Sequence, residues 1–553
     1  MNESKHPLAR KDNKMRGISS CLWIGNAILV VAGCSLAVAD ETAQAGRSGF
    51  SSLRLIYPGQ MPRPVEIGLR QLFVDDYHIA SVKGLRRMVN PVTKHPPLME
   101  WEHPWEGLGP GMEYVHYDPE AKIYKAFLMY FAYTTKTGGT HYWTGYATSK
   151  DGWKWERPAV GLPIPRGSGN DGVNTDLRSL FSKKFEGPRI LGGSAEFSDF
   201  EKTNIISMRT FAGYIVYDPH DPDPRKRYKS LQPFETGRFG DPLRLYYSPD
   251  GLHDWTPYEK NPLNVTVRDD TYHIFHDVRR KRYVLFDRSY AFGYRGGGRR
   301  VGYRASPDLK TYGPYMTVLA ADAEDPHGTD IYGMTVFDYE GVYLGLVWVY
   351  DNHTKTRVVE LAVSRDCVDW QRVDRTRPFI PRGPEGSPDS KLIFTAQSPP
   401  IIEGDQIRVF YTGQSGLHKP STRAERTAYP MVGTLLLDRF VDVELDAGSS
   451  SGELCTHPLR VDDVEDKQLV LNVAGELSST SRLRIEVVDA DSGTAIPGYE
   501  LDKCDPIEKN SLRHTVSWQG NDRLPSMQGG AVVLRFVLEA EAGSPKLYSF
   551  AFK

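Results

Sequence analysis

The sequence predicts an all-β protein in which a five-bladed β-propeller is followed by a C-terminal β-sandwich. Three observations predict this fold: a short sequence box that recurs at a fixed spacing, a β-hairpin pattern that recurs with it, and a change of texture near residue 446. Self-similarity at a fixed period decides the fold class before any single motif is weighed.

The recurring box begins with Ser-x-Asp and ends with an aromatic ring six or seven residues later. Its copies start at Ser149, Ser248, Ser306 and Ser364, so the last three are 58 residues apart and the first gap of 99 residues is one period plus a 41-residue insertion. Serine and aspartate side chains bond nearby backbone amides in turns, and a ring can fill the gap between two sheets. The box therefore predicts turns and packing between blades.

A hairpin pattern recurs upstream of each box. Its turn aspartates are Asp118, Asp218, Asp277 and Asp338, whose spacings of 100, 59 and 61 residues follow the same period, and a fifth hairpin near Glu403 lacks the box. Alternating apolar and polar residues predict half-buried strands. Five all-β units without an amphipathic helix between them favour radially arranged propeller blades over a solenoid.

The domain boundaries follow from where the repeats begin and end. We expect a linker or N-terminal extension over 40–70, the propeller over 71–445, and a separate β-sandwich over 446–553, where several strands occur without the box. The DADSG segment from Asp489 resembles a calcium loop, but strands flank it and a hairpin turn is favoured. No cofactor is predicted, and a structural Ca²⁺ is left open.

The first 39 residues are typical of a secretory signal peptide. They carry five basic side chains, then the apolar run CLWIGNAILVVAG, then Ala37-Val38-Ala39 as a cleavage site, which predicts export to the periplasm or the extracellular space. The run is too short to predict a membrane span. A lipid anchor at Cys34, within Val31-Ala32-Gly33-Cys34, is the alternative.

Net charge and cysteine content argue against a nucleic-acid-binding protein and against a disulfide-rich scaffold. Loss of five basic and two acidic side chains with residues 1–39 takes the formal charge from −2 to −5, which argues against nucleic acid as a partner. The three remaining cysteines are too few for a disulfide scaffold. Cys455 and Cys504 could pair, or each could stay a free thiol.

The boxes also indicate a family. Together with LFVDDYHI from Leu72, the turns Arg227-Tyr228 and Arg282-Tyr283, and the tail LYSFAF, they resemble exported bacterial glycosyl hydrolase family 32-like proteins of the invertase and arabinanase propeller superfamily. The resemblance covers nearly all of the chain after the signal peptide. It implies a secreted glycoside hydrolase that cleaves an oligo- or polysaccharide, although one fold hosts many reactions.

The resemblance also implies where catalytic carboxylates come from. The invertase pattern places one catalytic carboxylate on each of blades one, three and four. On blade three, Arg268-Asp269 matches its Arg-Asp, without the following proline and with Asp270 alongside. Blades one and four lack the family motifs, and the nearest candidates there are Glu113 and Asp330.

These residue types suit glycoside hydrolysis. The reaction needs one protonated carboxyl to assist the leaving group and one ionised carboxylate to attack or to activate water. Like charges crowded into one funnel raise one pKa, which lets both forms coexist. Aromatic rings and arginines grip sugars around such a site. The residues predicted to bind substrate are Trp105, Arg295, Arg299, His327 and Asp389, and no metal site is predicted.

Two hypotheses of function follow from these residues. The first is a glycoside hydrolase that acts through Glu113, Asp269 or Asp270, and Asp330. The second is a carbohydrate-binding propeller without catalysis, because the family's motifs on blades one and four are missing. Both predict a glycan as the partner.

Overall fold

The computed structural model describes residues 62–133, 140–161, 202–208, 214–233, 242–267, 269, 272–290, 298–418, 427–460, 467–525 and 530–553. The predicted signal peptide, the alternative anchor at Cys34, and the site candidates Asp270 and Arg295 lie outside these residues. The predicted all-β class is confirmed. The described residues form strands and turns, with short 3-10 turns such as Pro104–Glu106 and Pro224–Lys226.

Five sheets follow one another along the chain. The first contains β6 (Gly111–Asp118), β7 (Ile123–Tyr133), β8 (Thr140–Ser149), β9 (Trp155–Glu156) and β10 (Ile205–Met208). The second contains β11 (Ile215–Tyr217), β12 (Tyr228–Pro233), β13 (Leu243–Ser248) and β14 (Thr256–Pro257). The third contains β15 (Tyr272–Asp277), β16 (Arg282–Tyr290), β17 (Arg299–Ser306) and β18 (Met316–Ala320).

The fourth and fifth sheets continue this order. The fourth contains β19 (Thr329–Tyr339), β20 (Val342–Asp351), β21 (Thr356–Ser364) and β22 (Gln371–Arg372). The fifth contains β23 (Leu392–Thr395), β24 (Ile401–Glu403), β25 (Gln406–Gln414) and β26 (Ala428–Leu436). It is completed from the other end of the chain by β5 (Thr93–Lys94), which pairs antiparallel with β26.

The boxes form the turns that the sequence predicts. In each one, the aspartate Oδ1 accepts backbone N–H groups two and three residues ahead at 2.7–3.0 Å, as at Asp151, Asp250, Asp308 and Asp366. These local bonds satisfy backbone donors where the chain leaves the third strand of each of the first four sheets. The serine and aspartate therefore act in the backbone turn.

The ring of each box packs between neighbouring sheets. Trp255 joins a cluster that contains Phe127 of the first sheet, and Trp370 lies 6.4 Å from Phe286 of the third, measured between ring centroids. In the first sheet, Trp155 lies 6.0 Å from Phe410 of the fifth. The first and fifth sheets are therefore neighbours, which brings distant parts of the chain together.

Two six-stranded sheets share a separate core. One contains β1 (Arg63–Pro64), β3 (Ile79–Lys83), β28 (Ser451–Thr456), β29 (Leu459–Arg460), β31 (Ser481–Asp489) and β33 (Val532–Ala540). The other contains β2 (Gln71–Leu72), β4 (Leu85–Val89), β27 (Val441–Leu445), β30 (Leu469–Gly475), β32 (Ser511–Thr515) and β34 (Pro545–Phe552). Phe536 of the first and Phe550 of the second are both buried in the core between them.

Sheet pairing divides the chain differently from the boundaries expected at residues 71 and 446. Residues 63–89 lie in the two six-stranded sheets, where β4 pairs with β27 and β2 pairs with β34. The N-terminal segment thus packs with the C-terminal one, and residues 90–440 hold the five successive sheets. Cys367, Cys455 and Cys504 are free thiols, so the pairing considered for the last two does not form.

Candidate active site

The three described carboxylates predicted to be catalytic lie at the leading ends of first strands. Glu113 is the third residue of β6, Asp330 is the second of β19, and Asp269 precedes β15 by three residues. All three are buried, with exposed fractions of 4%, 1% and 2%. Burying a carboxyl is costly unless it is paired or protonated, so such positions indicate a specific electrostatic environment.

Glu113 occupies a β-bulge. The register of β6 against β7 shifts between Met112 and Tyr114, which leaves Glu113 as the extra residue. A bulge changes the direction of a side chain and is common next to active sites. Gln397, just beyond β23, holds this residue twice: its backbone N–H donates to the Glu113 carbonyl at 2.5 Å, and its Nε2 donates to Glu113 Oε2 at 3.2 Å.

Burial sets the protonation of Glu113. It raises the pKa of this carboxyl to about 7, because desolvation of the charged form outweighs the hydrogen bond from Gln397 and the attraction of Arg357. A glutamic acid with a pKa near neutrality can hold a proton at neutral pH and release it during reaction. This is the property that a general acid in glycoside hydrolysis requires.

Asp269 and Asp330 are each bound to an arginine. Arg288 Nε donates to Asp269 Oδ2 at 2.6 Å, and the hydroxyl of Tyr290 donates to the same oxygen. Asp330 receives the backbone N–H of Arg299 at 3.1 Å and its Nη1 at 2.5 Å. Charge-assisted bonds of this kind fix both the carboxylate and the guanidinium.

Three arginines next to these carboxylates surround the ring of Tyr332. The guanidinium carbons of Arg288, Arg357 and Arg299 lie 4.2, 4.5 and 5.1 Å from the centroid of its ring. Tyr332 also occupies a bulge, because the register of β19 against β20 shifts between Ile331 and Gly333. The arginines that pair with Asp269 and Asp330 therefore lie around one ring with Arg357, whose charge opposes the effect of burial on the pKa of Glu113.

A cavity adjoins this cluster between the third, fourth and fifth sheets. Its lining includes His273, Arg288, Trp348 and Gln397, which connects it to the partners of both Asp269 and Glu113. Burial lowers the pKa of His273 to about 4, so its ring is neutral at physiological pH. The ring Nε2 lies 3.3 Å from the carbonyl oxygen of Val336.

The residues predicted to bind substrate are distributed more widely. Arg299 belongs to the Tyr332 cluster. Trp105 is half-buried, stacks on His103 with ring centroids 4.4 Å apart, and donates from Nε1 to Asn204 Oδ1 at 2.9 Å. His327 is exposed in the loop before β19.

Asp389 is buried in the fifth sheet and is bound by protein groups. Lys94 Nζ lies 2.6 Å from its Oδ2, and the hydroxyl of Tyr411 donates to the same oxygen at 3.1 Å. Lys94 belongs to β5, so this ion pair connects the strand that completes the sheet to the segment before β23. The contacts of Asp389 therefore tie β5 to the segment before β23 and to Tyr411 of β25.

Sequence reasoning missed four members of the site: Arg288, Tyr332, Arg357 and Gln397. A signal was available for the two arginines, since Arg288 closely follows the apolar run Val-Leu-Phe of its strand and Arg357 directly precedes Val-Val in its own. A charged residue within a buried strand is rare unless it is paired. Tyr332 and Gln397 carry no comparable signal, because their positions depend on a bulge and on contact between distant strands.

Two further properties concern metals and membranes. Across the described residues, no group of three or more His, Cys, Asp or Glu side chains is arranged to hold a metal ion. In the same part of the chain, no helix is long and apolar enough to cross a membrane.

Comparison with known proteins gives structural neighbours. No family model matches the sequence, and no curated protein matches it. The chain is similar to a protein described as a glycoside hydrolase, with 16% identity, a TM-score of 0.40, and coverage of 63% of this chain and 92% of that one. It is also similar to the family 32 β-fructofuranosidase of Bombyx mori, with 13% identity, a TM-score of 0.35, and coverage of 84% and 95%.

A third neighbour is the catalytic domain of a family 62 α-L-arabinofuranosidase from Coprinopsis cinerea, with 12% identity, a TM-score of 0.38, and coverage of 63% of this chain and 98% of that one. These neighbours are all glycoside hydrolases, and family 32 is the one that the sequence resembles. Similarity at this level assigns no role to any residue of this chain. The roles have to be inferred from the contacts of its own side chains.

Proposed function

We propose that the chain is an exported glycoside hydrolase that cleaves O-glycosidic bonds of an oligo- or polysaccharide. In this proposal the five successive sheets form a five-bladed propeller, and the two six-stranded sheets form a β-sandwich beside it. The contact of Trp155 with Phe410, between the first and fifth sheets, supports closure of the ring. The pairing of β5 with β26 supports it as well.

The observation that carries the function is that the arginines paired with Asp269 and Asp330 share the Tyr332 ring with Arg357, whose charge acts on buried Glu113. Glu113, whose pKa burial raises to about 7, is assigned as the general acid. Asp269, or Asp270 beside it, is assigned as the nucleophile or base. Asp330 is assigned to the orientation of Arg299, because both of its oxygens accept bonds from that residue.

The proposed reaction begins with proton transfer from the general acid. Glu113 gives its proton to the glycosidic oxygen, the bond from the anomeric carbon to that oxygen breaks, and the electron pair leaves with the aglycone. The aspartate then acts in one of two ways: it attacks the anomeric carbon and forms a glycosyl ester, which water hydrolyses while Glu113 takes a proton from that water, or it removes a proton from a water that attacks the anomeric carbon directly.

The test is release of reducing sugar from a panel of neutral and acidic glycans by the purified protein and by E113Q. Loss of a general acid lowers turnover by about 10²- to 10⁴-fold. Glu360 offers a matched control, because it too is a buried glutamate whose pKa is raised to about 7, but it lies on β21 and pairs with Arg372. We expect E360Q to retain activity. Equal activity of E113Q and the wild type would contradict the assignment.

Glycan binding without turnover is the second candidate function. The hydrogen bonds that arginines donate to Asp269 and Asp330 favour binding without turnover, because an aspartate held by such bonds is suited to positioning other side chains. In that case the wild-type protein releases no reducing sugar from any glycan, and E113Q changes only the affinity for one.

A further inference from the structure

The cavity between the third, fourth and fifth sheets adjoins the residue that holds Glu113. The centre of a water-sized sphere can occupy about 10 Å³ of this cavity. On the same measure, one buried water needs about 10–15 Å³ together with two to four polar partners. The cavity therefore has the size of a site for a single water molecule.

Four polar residues of the cavity wall have partners elsewhere in the protein: Tyr272, Asp287, Arg288 and Trp348. The hydroxyl of Tyr272 donates to a backbone carbonyl at 2.9 Å, and Trp348 Nε1 donates to a threonine hydroxyl at 2.7 Å. Asp287 Oδ2 lies 3.6 Å from the guanidinium of Arg304, and Arg288 Nε donates to a carboxylate oxygen of Asp269 at 2.6 Å. These four residues do not depend on the cavity for a partner.

The other two polar residues of the wall are His273 and Gln397. His273 Nδ1 and Gln397 Oε1 are buried and make no hydrogen bond with the residues that the structure describes. The Val336 carbonyl lies 3.3 Å from His273 Nε2, which favours the ring hydrogen on Nε2 and leaves Nδ1 as an acceptor. Gln397 Nε2 donates to Glu113, so Gln397 Oε1 is an acceptor as well. A buried acceptor without a donor is costly.

Two acceptors cannot bond to each other, so a donor with two hydrogens has to lie between them. His273 and Gln397 are close neighbours, because the Gln397 backbone carbonyl raises the pKa of the His273 ring against the larger, lowering effect of burial. A metal cation would also bind two acceptors. The guanidinium of Arg288 lines the same cavity, however, and repels a cation. Water is the molecule that fits both the space and the charges.

We propose that the cavity binds one water molecule that donates to His273 Nδ1 and to Gln397 Oε1, and that His273 is thereby a positioning residue for Gln397. The water holds the Gln397 amide with its Nε2 toward the Glu113 carboxyl, 3.2 Å away. A reversed amide would turn an oxygen toward that carboxyl and lose the hydrogen bond to its ionised form. The positioning role rests on the proposed function of Glu113, whereas the water site does not.

A crystal structure of the wild-type protein tests the water site. We expect one ordered water at about 2.7–3.2 Å from both His273 Nδ1 and Gln397 Oε1. A dry cavity, or a metal ion in it, would overturn the proposal. This measurement needs neither a substrate nor a variant.

Two variants of His273 test the positioning role. H273N keeps a side-chain oxygen that can accept from the water, whereas H273L removes the acceptor. The readout is the infrared carboxyl band of each protein minus that of the same protein with E113Q, followed against pH. H273L should move the Glu113 titration to higher pH by about one pH unit, the effect of losing a hydrogen bond to a charged group. H273N should stay near the wild type, and equal shifts in the two variants would contradict the role of Nδ1.

The same titration in a Q397L background shows whether His273 acts through Gln397. We expect H273L to add no further shift there, because the amide that the water orients is gone. A full shift in Q397L would show that His273 acts on Glu113 by another route and would overturn the positioning role. If H273L does not fold, the crystal structure decides the proposal.

The outcomes are separate from those for the hydrolase, because neither measurement needs turnover. If the wild type cleaves no glycan, but the water is present and H273L shifts the titration only when Gln397 is present, the inference stands and the proposed function fails. If the wild type cleaves glycans and E113Q does not, while H273L leaves the titration unchanged, the inference fails and the hydrolase function stands.

Discussion

Glu113 and Gln397 are joined by two hydrogen bonds between the first and fifth sheets. The backbone N–H of Gln397 donates to the Glu113 carbonyl at 2.5 Å, and the Gln397 side-chain amide donates to the carboxyl at 3.2 Å. The two residues are 284 positions apart in the chain. The bond from the Gln397 backbone fixes the bulged backbone of β6. The bond from the Gln397 side chain lowers the pKa of the proposed general acid.

The pH dependence of turnover should report this protonation. Burial raises the pKa of Glu113 to about 7, and the acid form is the one that donates a proton to the leaving group. We therefore expect kcat/KM to fall as the pH rises through about 7. A profile measured from pH 4 to pH 10 checks this, and a rate that increases steadily across neutrality would contradict the role of Glu113 as an acid.

Gln397→Leu should move the alkaline limb of that profile to higher pH. The side-chain hydrogen bond from Gln397 lowers the pKa of Glu113, whereas burial raises it. Removing the hydrogen bond should therefore raise this pKa further. The measurement is again kcat/KM against pH.

Ser398→Ala is the control for this shift. Ser398 is the next residue, and its hydroxyl accepts the backbone N–H of Val115 at 3.0 Å, so the variant alters the same segment without touching the Glu113 carboxyl. Identical shifts in both variants would point to a general disturbance of the segment between β23 and β24.

The sequence predicted the features that depend on local chemistry. The Ser-x-Asp turns form from side chains and amides within three residues of each other, so their spacing marked out the first four of the five successive sheets. The family resemblance pointed to Glu113, Asp269 and Asp330, and the structure places each of them where a first strand begins. Their roles in catalysis remain predictions.

Long-range pairing could not be predicted in the same way. Nothing in residues 63–89 indicates that they pair with strands near the other end of the chain, because partner choice depends on which edges are left open once the sheets have formed. The convergence on Tyr332 depends on two bulges, in β6 and β19, and one extra residue in a strand has no sequence signature of its own. Asp389 illustrates the same limit, since its partner Lys94 comes from β5.

Glu360 should make stability depend on pH. Burial raises its pKa to about 7 from an ordinary 4.5, because desolvation outweighs the attraction of Arg372, whose Nη2 lies 2.7 Å from Glu360 Oε2. Its contribution to the free energy of unfolding is fully present below about pH 4.5 and is lost as the pH rises through about 7.

Glu360→Gln cannot ionise, so it should reduce the decline in unfolding free energy between pH 5 and pH 8. Urea unfolding at both values measures this decline. Part of the decline should remain in E360Q, because the folded-state pKa of Glu113 is also raised. A decline in E360Q as steep as in the wild type would show that Glu360 ionises normally in the folded protein.

Asp438→Ala should destabilise the protein strongly, because this fully buried carboxylate connects the fourth sheet to a six-stranded one. It accepts bonds from Arg70 Nε at 2.7 Å, from the hydroxyl of Tyr339 on β19 at 2.7 Å, and from Ser549 Oγ on β34 at 2.6 Å. Removing one member of a buried, hydrogen-bonded ion pair costs about 3–5 kcal/mol. Urea unfolding, followed by far-UV circular dichroism, measures the change.

Asp405→Ala provides the matched comparison for Asp438→Ala. Asp405, in the turn between β24 and β25, pairs with Arg513 of β32 and so also joins one of the five successive sheets to a six-stranded one. Its side chain and that of Arg513 are about half exposed, at 48% and 50%, and water screens such a pair. The unfolding midpoint should therefore stay near that of the wild type. If the two variants were equally stable, the attachment of the sheets would not depend on the buried Asp438 network, and apolar packing such as that of Tyr339 against Phe440 would have to account for it.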